Sequence, residues 1–149
     1  MKVLIPAECA MPSRDKEIVC QENRCKITFV NKTRRKVIKY GIDGCPRLRA
    51  LLQDPQCKLC DFLLVVESRG EEHYIELKGK NVKQALNQLE STIRQLRSVS
   101  SKSSFFCWII ATESPRATSK FQNLKLKFER QFHNATLKVR TFKYEHDLA

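Results

Sequence analysis

The chain has 149 residues and 42% apolar content, the size and composition of one globular domain with a real core. Its 28 Lys and Arg outnumber its 16 Asp and Glu to give a net charge of +12, spread along the chain rather than held in a tail, so the folded surface itself calls for a polyanionic partner. No apolar run is long enough to cross a bilayer, and the run before Pro6 is too short for a signal peptide, so no membrane partner and a cytoplasmic location are expected.

Residues 1–24 carry few periodic signals and read as an N-terminal extension of the single domain, 1–149. Cys25 to Val30 is a predicted strand, rich in β-branched and aromatic residues. A polar turn, Asn31 to Arg35, leads to a second strand, Lys36 to Ile42, and the two are expected to pair as an antiparallel hairpin. Asp43-Gly44 ends that strand, Pro46 opens a short helix to Gln53, and Asp54-Pro55 closes it.

Asp61 stands directly before five apolar residues, Phe62 to Val66, which read as a buried strand. An unpaired acid there is costly, so Asp61 is a candidate functional residue. A polar stretch containing Gly70 links this strand to another, His73 to Gly79, in a predicted hairpin. Alternation puts Tyr74, Glu76 and Lys78 on one face of the second strand and Ile75 and Leu77 on the other. Two carboxylates, from Asp61 and Glu76, suit a hard divalent cation, and the Lys78 ammonium beside them suits an attacking water or a developing phosphate charge.

A helix follows from about Val82 to Arg97, with Val82, Ala85, Leu86, Leu89, Ile93 and Leu96 at helical spacing. After a Ser-rich loop, Phe105 to Ala111 is apolar almost without a break, as in a strand covered on both faces. A last helix from Ser114-Pro115 to about Phe132 and a strand from Thr136 to Phe142 complete the order, before a polar tail. A hairpin, a crossover helix and a buried strand predict an α/β (α+β) fold, with a mixed central sheet flanked by helices on its faces.

Asp61, Glu76 and Lys78, with the order of elements around them, resemble the PD-(D/E)xK nuclease superfamily, the restriction-endonuclease-like fold. The resemblance covers roughly the C-terminal two thirds of the chain; Cys60 stands where the family name has proline. It implies that Asp61, Glu76 and the Leu77 carbonyl hold magnesium or manganese. Lys78 would orient or deprotonate the attacking water, and Lys80 would contact the phosphate backbone. Some exonuclease branches use a glutamine on the following helix, which carries Gln88 over as an accessory residue, although the accompanying tyrosine is absent. Asp43 is a further accessory candidate at a strand end, and Glu8, Glu17 and Glu22 are alternatives for an upstream acid. Lys80, Lys83, Arg34, Arg35 and Lys36 are candidate nucleic-acid contacts.

Seven cysteines are many for this length, but an odd count with no signal peptide argues against a disulfide framework. Cys57 and Cys60 have zinc-ligand spacing, and Cys20, Cys25 and Cys45 could complete a set. Cys60 and Cys107 read instead as strand positions, so reduced thiols are expected and structural zinc is not. The function expected is a metal-dependent deoxyribonuclease acting as a homodimer, in restriction, repair, junction resolution or phage defence. The alternatives are a catalytically inactive nucleic-acid-binding or assembly protein of the same fold, and a toxin-like or regulatory protein whose basic face meets an acidic protein.

Overall fold

The computed structural model describes residues 4–77, 81–97, 103–113 and 119–148. Nine strands and three helices alternate along them in a mixed α+β arrangement. The strands are β1 (Ala10–Ser13), β2 (Glu17–Glu22), β3 (Cys25–Val30), β4 (Val37–Gly41), β5 (Phe62–Val66), β6 (Glu71–Leu77), β7 (Phe105–Ala111), β8 (Ala135–Thr141) and β9 (Lys143–Asp147). The helices are α1 (Pro46–Ala50), α2 (Val82–Leu96) and α3 (Ser119–Gln131).

Six strands form the main sheet, in the order β1-β4-β5-β6-β7-β8. The β5–β6 hairpin is antiparallel, with Phe62 opposite Ile75 and Val66 opposite Glu71. Its link is a 3-10 turn, Glu67–Arg69, closed by Gly70 at φ 59°, a left-handed conformation that glycine adopts without steric penalty. Helix α2 then crosses over to β7, which lies parallel to β6, and β8 lies parallel to β7. Asn81 caps α2 by accepting the Gln84 N–H at 3.0 Å.

The expected pairing of β3 with β4 does not form. β3 instead joins β2 and β9 in a separate three-stranded sheet, antiparallel to β2 and parallel to β9. A two-residue turn, Asn23-Arg24, brings β2 onto β3 before β4 is reached. The segment read as an extension therefore supplies a strand to each sheet, and the polar tail becomes β9. Asn31 makes the change of sheet possible. Its buried side chain donates to the Asp15 carbonyl (3.1 Å) and the Arg35 carbonyl (2.9 Å) and accepts the Arg35 N–H (3.1 Å), which holds the link between β3 and β4 in place.

Among the described residues the helices cover one face of the main sheet rather than both. Leu48 of α1, Ala85, Leu86, Leu89 and Ile93 of α2 and Phe128 of α3 pack with Leu63, Tyr74, Cys107 and Ile109 in one core layer. The small sheet covers the other face, where Ile27 and Phe29 meet Leu64, Ile75, Trp108 and Ile110. β7 is buried on both faces, as its unbroken apolar run requires. Among the described residues no helix is long and apolar enough to cross a membrane.

One disulfide, Cys9–Cys45, corrects the expectation that all the thiols are reduced. It ties the turn before β1 to the start of α1, two segments that β1–β4 pairing has already brought together. Cys20 and Cys25 lie between the two sheets, whereas Cys57 and Cys60 lie on the helix side of the main sheet. The four do not converge.

Candidate functional site

Strand direction decides which residues can meet. β6, β7 and β8 run parallel and finish at one end of the main sheet, with Leu77, Ile110 and Arg140 in register. β5 starts and β4 finishes at that same end, where Gly41 pairs with Phe62. Asp61, Glu76, the N-terminus of α2 and the β2–β3 turn therefore lie together at this end.

Asp61 extends the ladder beyond β5. Its N–H donates to the Ile75 carbonyl (3.1 Å), and its carbonyl accepts the Ile42 N–H (2.9 Å). Its side-chain Oδ2 accepts the Leu77 N–H at 2.7 Å. The carboxyl is pushed up from its ordinary 3.8 to about 7, first by burial and next by a hydrogen bond with the Glu22 carboxyl. The Leu77 N–H opposes the shift, and the nearby charges of Glu22 and Asp43 add to it. Near neutral pH the Asp61 carboxyl thus still holds its proton part of the time, with the Glu22 carboxyl beside it.

Glu76 lies one register step past the Phe62–Ile75 pair, beside Asp61, and is fully buried. Alternation puts its side chain on the same face of β6 as Tyr74, beneath the helices, and the Cys60 thiol there is pushed up first by burial and further by the charges of Glu76 and Asp61. Lys78 and Lys80 lie outside the described residues.

An open depression of about 460 Å³ lies beside Asp61 and is lined by Glu8, Glu22, Asp43 and Asp61, with Met11, Phe62 and Arg47. Four carboxylates thus gather in a strongly cationic protein. Two of them carry partners: Asp43 meets Arg49 at 2.8 Å, and Glu8 meets Arg47 at 3.4 Å. Asp43 both turns the chain after β4 and lines the depression. The Cys9–Cys45 disulfide forms part of the same wall.

Among the upstream acids, then, Glu22 and Glu8 reach the site. A hairpin signal at Asn23-Arg24 would have put Glu22 at a strand end, but nothing local in the sequence aims that end at Asp61. Gln88 lies under α2 rather than in the depression. Its Nε2 donates to the Leu59 carbonyl (3.1 Å), and Thr92 Oγ1, one turn on, accepts the Cys60 N–H at 2.7 Å. Together they brace the segment that leads into Asp61.

The basic candidates divide. Lys83 is exposed on the first turn of α2, at the site end, beside a groove between α2 and α3. Arg34, Arg35 and Lys36 precede Val37, which pairs with Val66, and so stand at the far end of β4, roughly 13 Å of strand away from Gly41. There Lys36 meets Glu67 at 3.5 Å and Arg35 meets Ser68 at 3.4 Å. The far end of β6 also carries His73, which is fully buried and stacked on Phe106; its Nδ1 accepts the Trp108 N–H at 3.0 Å.

Among the described residues, no three acidic, histidine or cysteine side chains form a ready metal cage. Magnesium does not require one, since it is held through one or two carboxylates and keeps waters and substrate phosphates as its other ligands. Asp61 with Glu76 or Glu22 fits that pattern. No protein-family model, curated protein or solved structure matches this chain.

Proposed function

We propose that this protein is a magnesium- or manganese-dependent nuclease that hydrolyses phosphodiester bonds in DNA, built on a restriction-endonuclease-like fold. The observation that carries the reading is Asp61. It is a half-buried carboxyl at the start of a core strand, raised to about 7 by burial and by a hydrogen bond with the Glu22 carboxyl, with Glu76 on the neighbouring strand. Acids held together against their mutual repulsion are a mark of functional sites. The net charge of +12 suits a polyanionic substrate.

Asp61 and Glu76 would hold the cation, with the Glu22 carboxyl beside Asp61. When bound, the cation supplies an activated water and neutralises charge on the scissile phosphate. The Leu77 N–H fixes the orientation of the Asp61 carboxylate, and Gln88 and Thr92 hold the chain behind it. Lys78 takes the water-orienting role through the family resemblance, and Lys83 supplies a phosphate contact at the same end.

The test is cleavage of single- and double-stranded DNA by the full chain, with magnesium and with chelator. Glu76→Gln keeps the size of the side chain and should lower cleavage about a hundredfold or more. An equally active Glu76→Gln protein, free of contaminating nuclease, would sink the assignment. The second reading, a nucleic-acid-binding protein without catalysis, draws on the net charge of +12, which suits a polyanion whether or not it is cleaved. Tight, salt-sensitive DNA binding with no cleavage in either metal would favour it.

A further inference from the structure

We infer that a second depression, next to the carboxylate site, seats an unpaired nucleobase, with the Phe142 ring as its stacking platform. The identity of the ligand rests on the nuclease reading above; the shape of the seat does not.

Phe142 is the single residue between β8 and β9, where the chain leaves the main sheet and enters the small one. Both sheets pin it: its N–H donates to the Ala111 carbonyl (2.8 Å), and its carbonyl accepts the Lys26 N–H (2.7 Å). Turning so sharply puts its backbone at φ 55°, in the left-handed region. The corner explains the backbone but not the side chain. Glycine or asparagine would sit there with less strain, and a bulky residue at positive φ is a genuine outlier. Burial does not account for the choice either, because the residue stays 45% exposed. Strain kept at an exposed position points to a use for the ring outside the fold.

Phe142 borders an open depression of about 630 Å³, together with Asn23, Arg24, Thr112 and two carboxylates, Glu22 and Glu113. Glu22 also lines the carboxylate depression, so the two are neighbours. A flat ring with free surface is what a base stacks on, and such stacking tolerates any base. The Asn23 amide and the Thr112 hydroxyl can each donate and accept, as base edges require, and Arg24 can meet a phosphate. A paired base has its edges and faces occupied within the duplex, so the seat selects single-stranded nucleic acid.

The experiment uses the full chain in chelator, so that binding is read without cleavage. Fluorescence anisotropy follows a labelled oligothymidine and a duplex of equal length, and melting curves are recorded alongside. Phe142→Gly removes the ring and relaxes the corner, while Phe142→Trp keeps an aromatic face. We expect Phe142→Gly to weaken single-strand binding about tenfold and duplex binding less than twofold, with no fall in melting temperature. Phe142→Trp should bind the single strand as the wild type does. Unchanged single-strand affinity in Phe142→Gly overturns the stacking role and leaves the nuclease reading intact. Equal losses on both substrates overturn the choice of an unpaired base. A melting temperature several degrees lower shows that the ring serves the core and overturns the inference. A wild-type protein that binds neither substrate overturns this inference and the nucleic-acid reading together.

Discussion

Asp61→Asn should make the metal-free protein more stable at alkaline pH, and the reason lies in the sign of the Asp61 shift. The folded carboxyl is raised from 3.8 to about 7. The folded state therefore holds a proton that the unfolded chain has already lost between those values. Stability from this group is complete below about pH 4 and disappears as pH rises through about 7. At full value the shift corresponds to roughly 4 kcal/mol. Solvent reaches part of the group, and screening brings the figure to about 2 kcal/mol. For a chain of this size that is about 6 °C in melting temperature. Asparagine keeps an oxygen to accept the Leu77 N–H but does not titrate. In chelator, the wild-type melting temperature minus that of Asp61→Asn should thus fall by about 6 °C between about pH 3.5 and pH 8. Acids remote from Asp61 titrate equally in both proteins and cancel. Magnesium at pH 8 should then raise the wild type and leave Asp61→Asn nearly unmoved, because ligand binding stabilises only the form that binds it. A difference between the two proteins that is constant with pH would refute the raised Asp61 carboxyl. Equal stabilisation by magnesium would refute Asp61 as a ligand.

Two further predictions concern the frame of the site. Thr92→Val leaves the Cys60 N–H without its acceptor in a buried place, and should cost about 1–3 kcal/mol in urea unfolding, with cleavage reduced because Asp61 is next in the chain; unchanged stability would mean that the brace is dispensable. Reducing the Cys9–Cys45 disulfide, which spans 36 residues of sequence, or replacing both cysteines by serine, should lower stability by about 4 kcal/mol through loop-closure entropy; identical melting curves with and without dithiothreitol, once free thiols are confirmed, would count against it.

Local pattern was enough for most of the elements. The 3.6-residue spacing from Val82 to Leu96 defines α2, and its apolar stripe is the face that packs on the main sheet. The unbroken run from Phe105 to Ala111 foretells a strand buried on both sides. Asp61 could be singled out because an acid directly before a core strand needs an explanation, and the structure gives it one in the Leu77 N–H and the Glu22 carboxyl.

Partners were another matter. Cys25–Val30 reads as a strand in isolation, yet its period of two says nothing about which edge it joins. The Asn23-Arg24 turn and the arrival of β9 settled that in favour of the small sheet. With that sheet in place Glu22 faces Asp61, Phe142 becomes a corner between layers, and residues 34–36 end up at the opposite end from the carboxylates. The sequence by itself determined the periods, the buried faces and the acid that had to be compensated, because these depend on neighbours a few residues apart. Only the tertiary structure decided which strands pair, which acids meet and which cysteines join, because those contacts connect residues tens of positions apart and exist only once both layers have closed on the main sheet.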